Sequence, residues 1–472
     1  MPAVVERISS RVADAPGAWP LLGHLPQLRR GPLEFMKSLS GCGALLRIRL
    51  GPVRAYVVCE PGLVQQMLRE PAVFDKGGML FDKARQIVAN GLATSAWTEH
   101  QRQRPLVQPA FTRARLDAYA QVMAQEADAL TGTWQAERPV DIVEQMVTLF
   151  ARITARTLFG SGLDRASIAT VQRAIPIVAE GVYRQMTAPL RLWEKLPTSA
   201  NRKYHRAAAD LHAVIDQFID DYEGVKGDRT DGEDTLSALL EAREGEDRLN
   251  GAEVHEQIFT FMMAGVETTA TAMSWTLHLL ARHPEVQERV HCEIAGVLGG
   301  QVPTVKDLSR LEYTRGVLTE AMRLYPPVWL LTRSTTADAS LGEWRIPAGS
   351  AVVFSPYMLH HDARLFPDPE RFDPDRWCSP RGDNAGQRGL FQFGGGARKC
   401  IGDVFSLTES LIALVAVSTR WRLTPGPGPE PRPVAKAVLT PDRVIVVAHP
   451  RPSPGPDGGG SRPTGRRTGP RA

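Results

Sequence analysis

The sequence lacks the features that mark several common classes of protein. Its five cysteines, in 472 residues, are scattered without the CxxC spacing of zinc sites and ferredoxin-type clusters. It has no glycine-rich dinucleotide fingerprint and no apolar run as long as a transmembrane helix. The N-terminus, MPAVVERISSRVADAPG, is not a signal peptide. We therefore expect a cytoplasmic protein with no membrane span, in a reducing compartment where isolated thiols persist.

The charge balance does not indicate a nucleic-acid partner. The 56 basic and 52 acidic residues leave a net charge of only +4, and part of it comes from the end of the chain. That tail, 451–472, is rich in Pro, Gly and Arg and has almost no side chains able to form a core, so we expect it to be disordered. Residues 1–15 are expected to be a flexible N-terminus, and 16–450 a single domain.

Hydrophobic periodicity predicts a mainly α-helical fold with a smaller β-rich lobe. The longest helical pattern covers 251–283, with Asn250 as its N-cap, Glu253 three residues later and Pro284 as its end. Further helices are predicted at 311–324 and 403–420. Short β-like runs predict paired strands at 44–50 with 54–59, 344–346 with 351–355, and 421–424 with 443–448.

The stretch FGGGARKCIG, residues 393–402, has the composition of a site that stabilises a thiolate. Cys400 precedes the predicted helix 403–420, whose N-terminal N–H groups and dipole favour negative charge. Arg398 adds a cation, and the four glycines let the backbone approach a bulky group. From these residues alone, Cys400 is a nucleophile, a haem ligand or a packed core residue. The scattered cysteines disfavour a zinc site.

The middle of the longest helix is chemically unusual. The run AGVETT puts a glycine, a carboxylate and two hydroxyls among apolar residues, and helical spacing places Phe261, Ala264, Gly265 and Thr268 on one face. Small side chains there leave room for a flat group, with Glu267 beside it. The alternative is a kinked core helix in which the Thr268 hydroxyl bonds back to the preceding turn and Glu267 faces solvent.

These motifs together resemble the cytochrome P-450 family of haem-thiolate monooxygenases. Its pattern FxxGxRxCxG is filled by Phe393, Gly396, Arg398, Cys400 and Gly402, and the family's other landmarks follow in order across nearly the whole chain. The resemblance implies the cytochrome P-450 fold and haem b as the cofactor. It also implies that Cys400 is the axial ligand of the haem iron.

The resemblance assigns roles to further residues. In the family, the acid and the threonine of AGVETT relay protons to dioxygen, which implies this role for Glu267 and Thr268. Glu320 and Arg323 match the family's ExxR helix, and Arg376 matches its partner arginine. The resemblance implies that these three residues form a buried ionic network. The alternative is an exposed pair, which is common for Glu and Arg at this spacing. The residues implied to bind the haem propionates are His100, Arg104, Arg333 and Arg398. Many relatives have tryptophan at the position of His100.

The implied reaction is hydroxylation of an unactivated C–H bond with dioxygen. Electrons are expected from a ferredoxin and its NAD(P)H-dependent reductase, since the chain carries no reductase motif. Arg398 and Lys399 are hypothesised to help dock that acidic carrier. The positions expected to line the substrate pocket are mainly apolar, which favours a compact hydrocarbon: Phe261, Ala264, Gly265, Val328 and Leu330, within a run 328–331 that also contains Trp329.

The substrate class is less sharply indicated. The stretches 201–222 and 327–357 resemble bacterial members of the family that oxidise cyclic terpene hydrocarbons, which implies a sesquiterpene substrate in secondary metabolism. A fatty-acid or polyketide (macrolide) hydroxylase is the alternative within the family. Outside it, a haem-binding sensor and a peroxide-driven haem enzyme remain open, but neither needs the acid and threonine of AGVETT.

Overall fold

The computed structural model describes residues 11–88, 90–160, 164–187, 196–224, 235, 239, 248–378 and 388–452. Within these residues the buried side chains form two cores. The larger core lies between packed helices, and the smaller core covers a six-stranded sheet and the short helices around it. A mainly α fold with a smaller β-rich lobe is therefore confirmed.

The helices of the described residues are numbered in chain order. Three short 3-10 turns, Gln108–Phe111, Pro374–Trp377 and Gly396–Arg398, accompany them. The α-helices are α1 (Leu25–Arg30), α2 (Pro32–Leu39), α3 (Pro61–Arg69), α4 (Gly78–Val88), α5 (Trp97–Val107), α6 (Arg113–Thr131), α7 (Ile142–Phe159), α8 (Arg165–Thr187), α9 (Ser199–Gly224), α10 (Gly251–Arg282), α11 (Pro284–Leu298), α12 (Val305–Leu308), α13 (Glu312–Leu324), α14 (Pro356–His360) and α15 (Asp403–Arg420).

The central element of the larger core is α10. Its 32 residues make it about 48 Å long. The Asn250 side chain accepts a hydrogen bond from the Glu253 N–H at 2.9 Å, and the Glu253 carboxylate accepts one from the Asn250 N–H at 2.8 Å. This capping box satisfies N–H groups that the helix cannot pair, so the helix begins where the sequence predicts.

The strands, also in chain order, build one large and three small sheets. The large sheet has the order β1-β2-β3-β9-β6-β4, and β10-β13-β5, β11-β12 and β7-β8 form the others. The strands are β1 (Ala13–Asp14), β2 (Leu45–Leu50), β3 (Val53–Val58), β4 (Phe74–Asp75), β5 (Pro139–Asp141), β6 (Leu331–Thr335), β7 (Ala339–Leu341), β8 (Trp344–Ile346), β9 (Ala351–Phe354), β10 (Trp421–Pro425), β11 (Pro433–Ala435), β12 (Leu439–Pro441) and β13 (Ile445–Pro450).

Two of the three predicted strand pairs are present. β2 pairs antiparallel with β3, and β10 with β13. The predicted pairing of 344–346 with 351–355 is wrong, because β8 pairs with the preceding β7, whereas β9 lies between β3 and β6. The partners of β9 are distant in sequence, so a local pattern of turn residues could not reveal them.

Secondary structure begins closer to the N-terminus than predicted. Within the expected flexible segment, Ala13–Asp14 pairs in parallel with β2, and Val12 and Ala15 are buried in the smaller core. The physical reason is that two apolar side chains and an open sheet edge hold this segment in place. Residues 1–10 lie outside the described residues.

The described chain continues slightly past β13. Arg451 forms an ion pair with Glu288 at 2.9 Å, and 453–472, most of the tail expected to be disordered, lies outside the described residues. Among the helices that the structure describes, none has the length and apolarity needed to cross a bilayer.

Candidate active site

The cysteine loop packs directly against the end of α3. The Cys400 N–H donates to the Phe393 carbonyl oxygen at 3.0 Å, which closes the loop. Gly394 and Gly396 have φ angles of +68° and +64°, where side chains are strained. A Cβ at Gly396 would also lie 2.0 Å from the Leu68 carbonyl oxygen. Glycine at 396 is therefore required by the packing of the loop against protein.

Cys400 lies beside the N-terminus of α15, as predicted, with Gly402 at the N-cap. Its side chain is accessible, yet the surrounding protein still desolvates the sulfur. This burial raises the pKa of the Cys400 thiol, and it outweighs the Gly402 N–H and the cations Arg104 and Lys76, which lower the pKa. In the polypeptide without a bound metal, burial therefore favours the thiol form. A coordinated metal would deprotonate the thiol.

Arg398 is held on the other side of the loop. Its Nη2 lies 2.5 Å from Asp75 Oδ1, its Nη1 donates to the Ser95 carbonyl oxygen at 3.0 Å, and its guanidinium carbon lies 5.6 Å from the centre of the Trp97 ring. Its Nε has no partner among the described residues. Because the side chain is buried, Arg398 cannot meet a protein partner, and the docking role hypothesised for it is wrong.

Positive charge gathers around His100. Burial is the main cause that lowers the pKa of His100 to about 3, and the charges of Arg398, Lys76, Arg104 and Arg333 contribute in that order. These side chains come from separate segments, as the sequence predicts for all except Lys76. Burial also lowers the pKa of Arg333 to about 10. The His100 side chain is 2% exposed, and its Nδ1 has no partner among the described residues.

Two residues of this cluster were missed by sequence reasoning. Lys76 donates from Nζ to the Ala93 carbonyl oxygen at 2.7 Å. Asp75 binds Arg398 and accepts from the N–H groups of Lys76 and Trp97 at 2.6 and 2.8 Å. Asp75 thus orients a side chain more than 300 positions away, and no local signal in the run FDK could have shown this.

The predicted open face of α10 is only partly present. Ala264 is exposed although it lies in the middle of a core helix, and the Thr268 hydroxyl donates to the Ala264 carbonyl oxygen at 2.7 Å. This back-bond belongs to the alternative interpretation of AGVETT. A Cβ at Gly265 would lie 3.4 Å from Thr154 Oγ1 on α7. This is an ordinary van der Waals distance, so a side chain at position 265 would point towards α7, and the pocket position of Gly265 stays a prediction.

Glu267 is half-buried. It lines a cavity of about 210 Å³ that Glu180 and Lys436 also border. Burial raises the pKa of Glu267 to about 7; Lys436 lowers this pKa and Glu180 raises it. A carboxyl group with a pKa near neutrality can both take up and release a proton at physiological pH.

Side chains of α10 and α15 join the two sequence motifs. Thr269 Oγ1 lies 3.1 Å from Ser406 Oγ. The Phe111 ring makes edge contacts with Phe261 at 5.3 Å and with Phe405 at 6.4 Å between ring centres. The helix that begins beside Cys400 is therefore packed against the AGVETT turn.

The predicted ion pair between Glu320 and Arg323 is present and completely buried. Arg376 Nε lies 3.5 Å from the Glu320 carboxylate. The Trp377 indole N–H also donates to Glu320 at 2.8 Å, a contact that sequence reasoning missed. Arg323 further donates to the carbonyl oxygen of His360 at 2.8 Å. The network thereby ties α13 to the segments that precede the cysteine loop.

The remaining pocket candidates lie after α13. Val328 and Leu330 are half-buried, whereas Trp329 between them is buried in the smaller core and donates to the Lys436 carbonyl oxygen at 2.8 Å. Successive side chains of an extended segment point to opposite sides. Trp329 therefore points away from the pocket it was expected to line, and Val328 and Leu330 remain candidates.

The donor set fits an iron porphyrin. Cys400 offers an accessible sulfur, the kind of ligand that iron in haem proteins accepts. The unpaired Nδ1 of His100 and Nε of Arg398, within a cluster of buried and half-buried cations, suit a ligand with carboxylates. The exposed Ala264 in a core helix leaves apolar surface for a flat ring.

Comparison with known proteins agrees with this site. The family model for Cytochrome P450 matches residues 14–448. The chain therefore belongs to the cytochrome P450 family, and it is a monooxygenase whose cofactor is haem b, bound through a cysteine thiolate.

Several relatives are similar over most of their length. Cyclooctatin synthase of Streptomyces melanosporofaciens is 46% identical, with 93% of this chain and 95% of that protein aligned. Cyclooctat-9-en-7-ol 5-monooxygenase of the same organism is 46% identical, with 87% and 89% aligned. Pentalenene oxygenase of Streptomyces avermitilis is 41% identical, with 93% and 95% aligned.

Proposed function

We propose that this monooxygenase hydroxylates a cyclic terpene hydrocarbon in secondary metabolism. The observation that carries the proposal is the identity of 41–46% with relatives whose names specify cyclooctat-9-en-7-ol and pentalenene, both polycyclic terpenoids. The candidate pocket residues support it, because Phe261, Ala264, Val328 and Leu330 carry no charge and offer no anchor for a carboxylate.

Haem, when bound, activates dioxygen and inserts one of its oxygen atoms into a C–H bond. Cys400 supplies the sulfur ligand from its accessible position beside α15. His100, Arg104, Arg333 and Arg398 hold the propionates, together with Lys76, which lies in the same cluster of charge. The role of these side chains is to bind and orient the cofactor.

Thr268 and Glu267 deliver protons in this proposal. The Thr268 hydroxyl hydrogen is committed to the Ala264 carbonyl oxygen, so its oxygen is free to accept a hydrogen bond from a water molecule and hold that water in place. Glu267, with a pKa near 7, takes up a proton from solvent and releases it towards that water.

Electrons are proposed to come from a ferredoxin and its NAD(P)H-dependent reductase. Lys399 lies beside the cysteine loop, and because its side chain is half exposed it is available to an acidic carrier, which would compete with its present partner Asp403 at 2.5 Å. We expect Lys399→Gln to slow reduction by ferredoxin and to weaken its salt dependence. An unchanged salt dependence would remove Lys399 from the docking surface. The proposal places the protein in the cytoplasm, where its five free cysteines stay reduced.

Optical titration of the ferric protein tests the substrate class. Cyclic terpenes, fatty acids and macrolactones are added separately, and the Soret band is followed for the shift caused by displacement of the haem-bound water. We expect a saturable shift with cyclic terpenes only. A shift with fatty acids or macrolactones alone would favour the alternative hydroxylase. Product that forms only with reductant and dioxygen distinguishes the monooxygenase from a sensor and from a peroxide-driven enzyme.

A further inference from the structure

The buried Asp75 lies where four segments of the candidate cofactor site meet. Its carboxylate accepts hydrogen bonds from the N–H of Trp97, the first residue of α5, at 2.8 Å and from the N–H of Lys76 at 2.6 Å. Arg398 Nη2 of the cysteine loop lies 2.5 Å from its Oδ1. The backbone of Asp75 pairs in β4 with Ser334 of β6, the strand that also carries a predicted propionate arginine. Each segment with a candidate propionate ligand therefore touches this one residue.

The contacts of Asp75 determine which polar atoms stay unpaired. Arg398 uses Nη2 for Asp75 and Nη1 for the Ser95 carbonyl oxygen at 3.0 Å. Its Nε, the Nδ1 of His100 and the hydroxyl oxygen of Ser95 are buried and have no partner among the described residues. Buried polar atoms are nearly always hydrogen-bonded in folded proteins. Because all three groups can donate a hydrogen bond, they suit the carboxylates of the cofactor.

A row of stacked side chains connects two of these groups. The guanidinium carbon of Arg398 lies 5.6 Å from the centre of the Trp97 ring. The Trp97 ring stacks in turn on the His100 ring, with 5.8 Å between ring centres and 20° between ring planes. Asp75 binds both the Arg398 guanidinium and the Trp97 N–H. Loss of its carboxylate should therefore displace Arg398 and His100 together.

Asp75 also brings negative charge into a cluster of positive charge. Four cations gather around His100, and one of them, Arg398, is paired with Asp75 inside the protein. Interactions between charges are stronger there than at the surface, because little water screens them. A carboxylate at this place partly offsets the cations, so it makes the site less favourable for an added electron.

We propose that Asp75 is a positioning residue for the cofactor, which aligns Arg398 and His100 for the propionates and whose negative charge lowers the reduction potential of the haem. The inference rests on the proposed role of these side chains in holding the propionates. Asp75 acts through Arg398 and α5, as an outer-sphere partner of the ligand groups. Removal of such a partner typically weakens the binding of a metal by about 10–100-fold.

Two measurements on the holoenzyme test the two parts of the proposal. The rate of haem release is followed by transfer to an excess of apomyoglobin, and the one-electron reduction potential is found by titration with dithionite. We expect Asp75→Asn to release haem at least about tenfold faster than the wild type. Because a negative charge is lost, its equilibrium constant for reduction should rise about threefold, which corresponds to about 30 mV.

A conservative variant separates charge from position. Asp75→Glu keeps the negative charge, but its longer side chain misplaces the carboxylate, so we expect faster haem release at the wild-type potential. A merely structural role would give no difference in potential between the Asn and Glu variants. The matched control is Asp128→Asn, which breaks an exposed pair with Arg420 at the same N···O distance of 2.5 Å. It should leave both the release rate and the potential unchanged.

Wild-type haem release from Asp75→Asn, or a potential that does not rise in that variant, would overturn the inference. If Asp75→Asn fails to fold, Asp75→Glu decides, since release at the wild-type rate from that variant would also overturn it. Arg398→Met distinguishes this failure from that of the proposed function. Faster release from Arg398→Met alone would leave the propionate role in place and remove only Asp75, whereas unchanged release would show that the propionate role itself is wrong.

Discussion

The Glu320 carboxylate and the Arg323 guanidinium form a two-pronged ion pair, with distances of 2.8 and 2.9 Å, in which neither side chain is exposed. Glu320 also accepts a hydrogen bond from the Trp377 indole N–H, and Arg323 donates one to the carbonyl oxygen of His360. One buried pair therefore joins α13 to two segments that lead towards the cysteine loop.

Replacement of Glu320 should destabilise the fold strongly. Glu320→Gln leaves the Arg323 charge buried without its counterion, and we expect a loss of about 3–5 kcal/mol in the free energy of unfolding. Unfolding in guanidinium chloride, followed by tryptophan fluorescence, measures it. The matched variant is Arg310→Met, which breaks an exposed i, i+3 pair with Asp307 and should cost less than about 1 kcal/mol. Similar losses in both variants would contradict the prediction.

Loss of the Thr268 hydroxyl should uncouple reduction from product formation. Without an oxygen to hold the water, Thr268→Ala is expected to lower the ratio of product to consumed NAD(P)H at least about tenfold, with reductant lost as peroxide. The control is Thr276→Ala, because Thr276 makes the same back-bond, to Ala272 at 2.7 Å, on the same helix. Coupling that falls equally in both variants would indicate a general disturbance of α10.

The glycines of the cysteine loop should differ in their tolerance of a side chain. Gly394 and Gly396 both have positive φ, but a Cβ meets no other atom within 4 Å at Gly394 and lies 2.0 Å from the Leu68 carbonyl oxygen at Gly396. We expect Gly394→Ala to cost about 1–2 kcal/mol through backbone strain alone, and Gly396→Ala to cost more and to lower haem content. Haem absorbance per protein and thermal unfolding test this ranking, which equal effects would refute.

The buried His360 should make the protein sensitive to acid. Burial is the main cause that lowers the pKa of His360 well below its ordinary value, and its Nε2 accepts the Phe391 N–H at 3.0 Å. The unfolded chain therefore takes up a proton below about pH 6.5 that the folded protein does not, so stability falls as the pH decreases. The expected slope from this residue is about 1 kcal/mol per pH unit.

His360→Gln keeps an acceptor for the Phe391 N–H but cannot titrate. Urea unfolding between pH 7 and 5 should therefore show a shallower loss of stability than the wild type. His283→Gln, at a side chain that is 37% exposed, serves for comparison and should retain the wild-type slope. A His360→Gln slope equal to that of the wild type would show that other groups dominate.

Much of the fold was predictable because it follows from short-range patterns. The limits of α10 depend on Asn250, Glu253 and Pro284, all within a few residues of the helix ends. The position of Cys400 before α15 likewise follows from consecutive residues. The pairing of β9 was not predictable, since its partners are far away in the chain.

The same difference between short-range patterns and long-range contacts applies to the candidate site. The sequence by itself determined the family, the candidate sulfur ligand, the ion pair of α13 and the acid next to Thr268, because each depends on residue types at fixed spacing. Only the tertiary structure decided what surrounds them: Asp75 orients Arg398, Gly265 faces α7, and Lys436 lies near Glu267. The physical reason is that charge and close packing act through space, over a few ångströms, between segments that folding alone brings together.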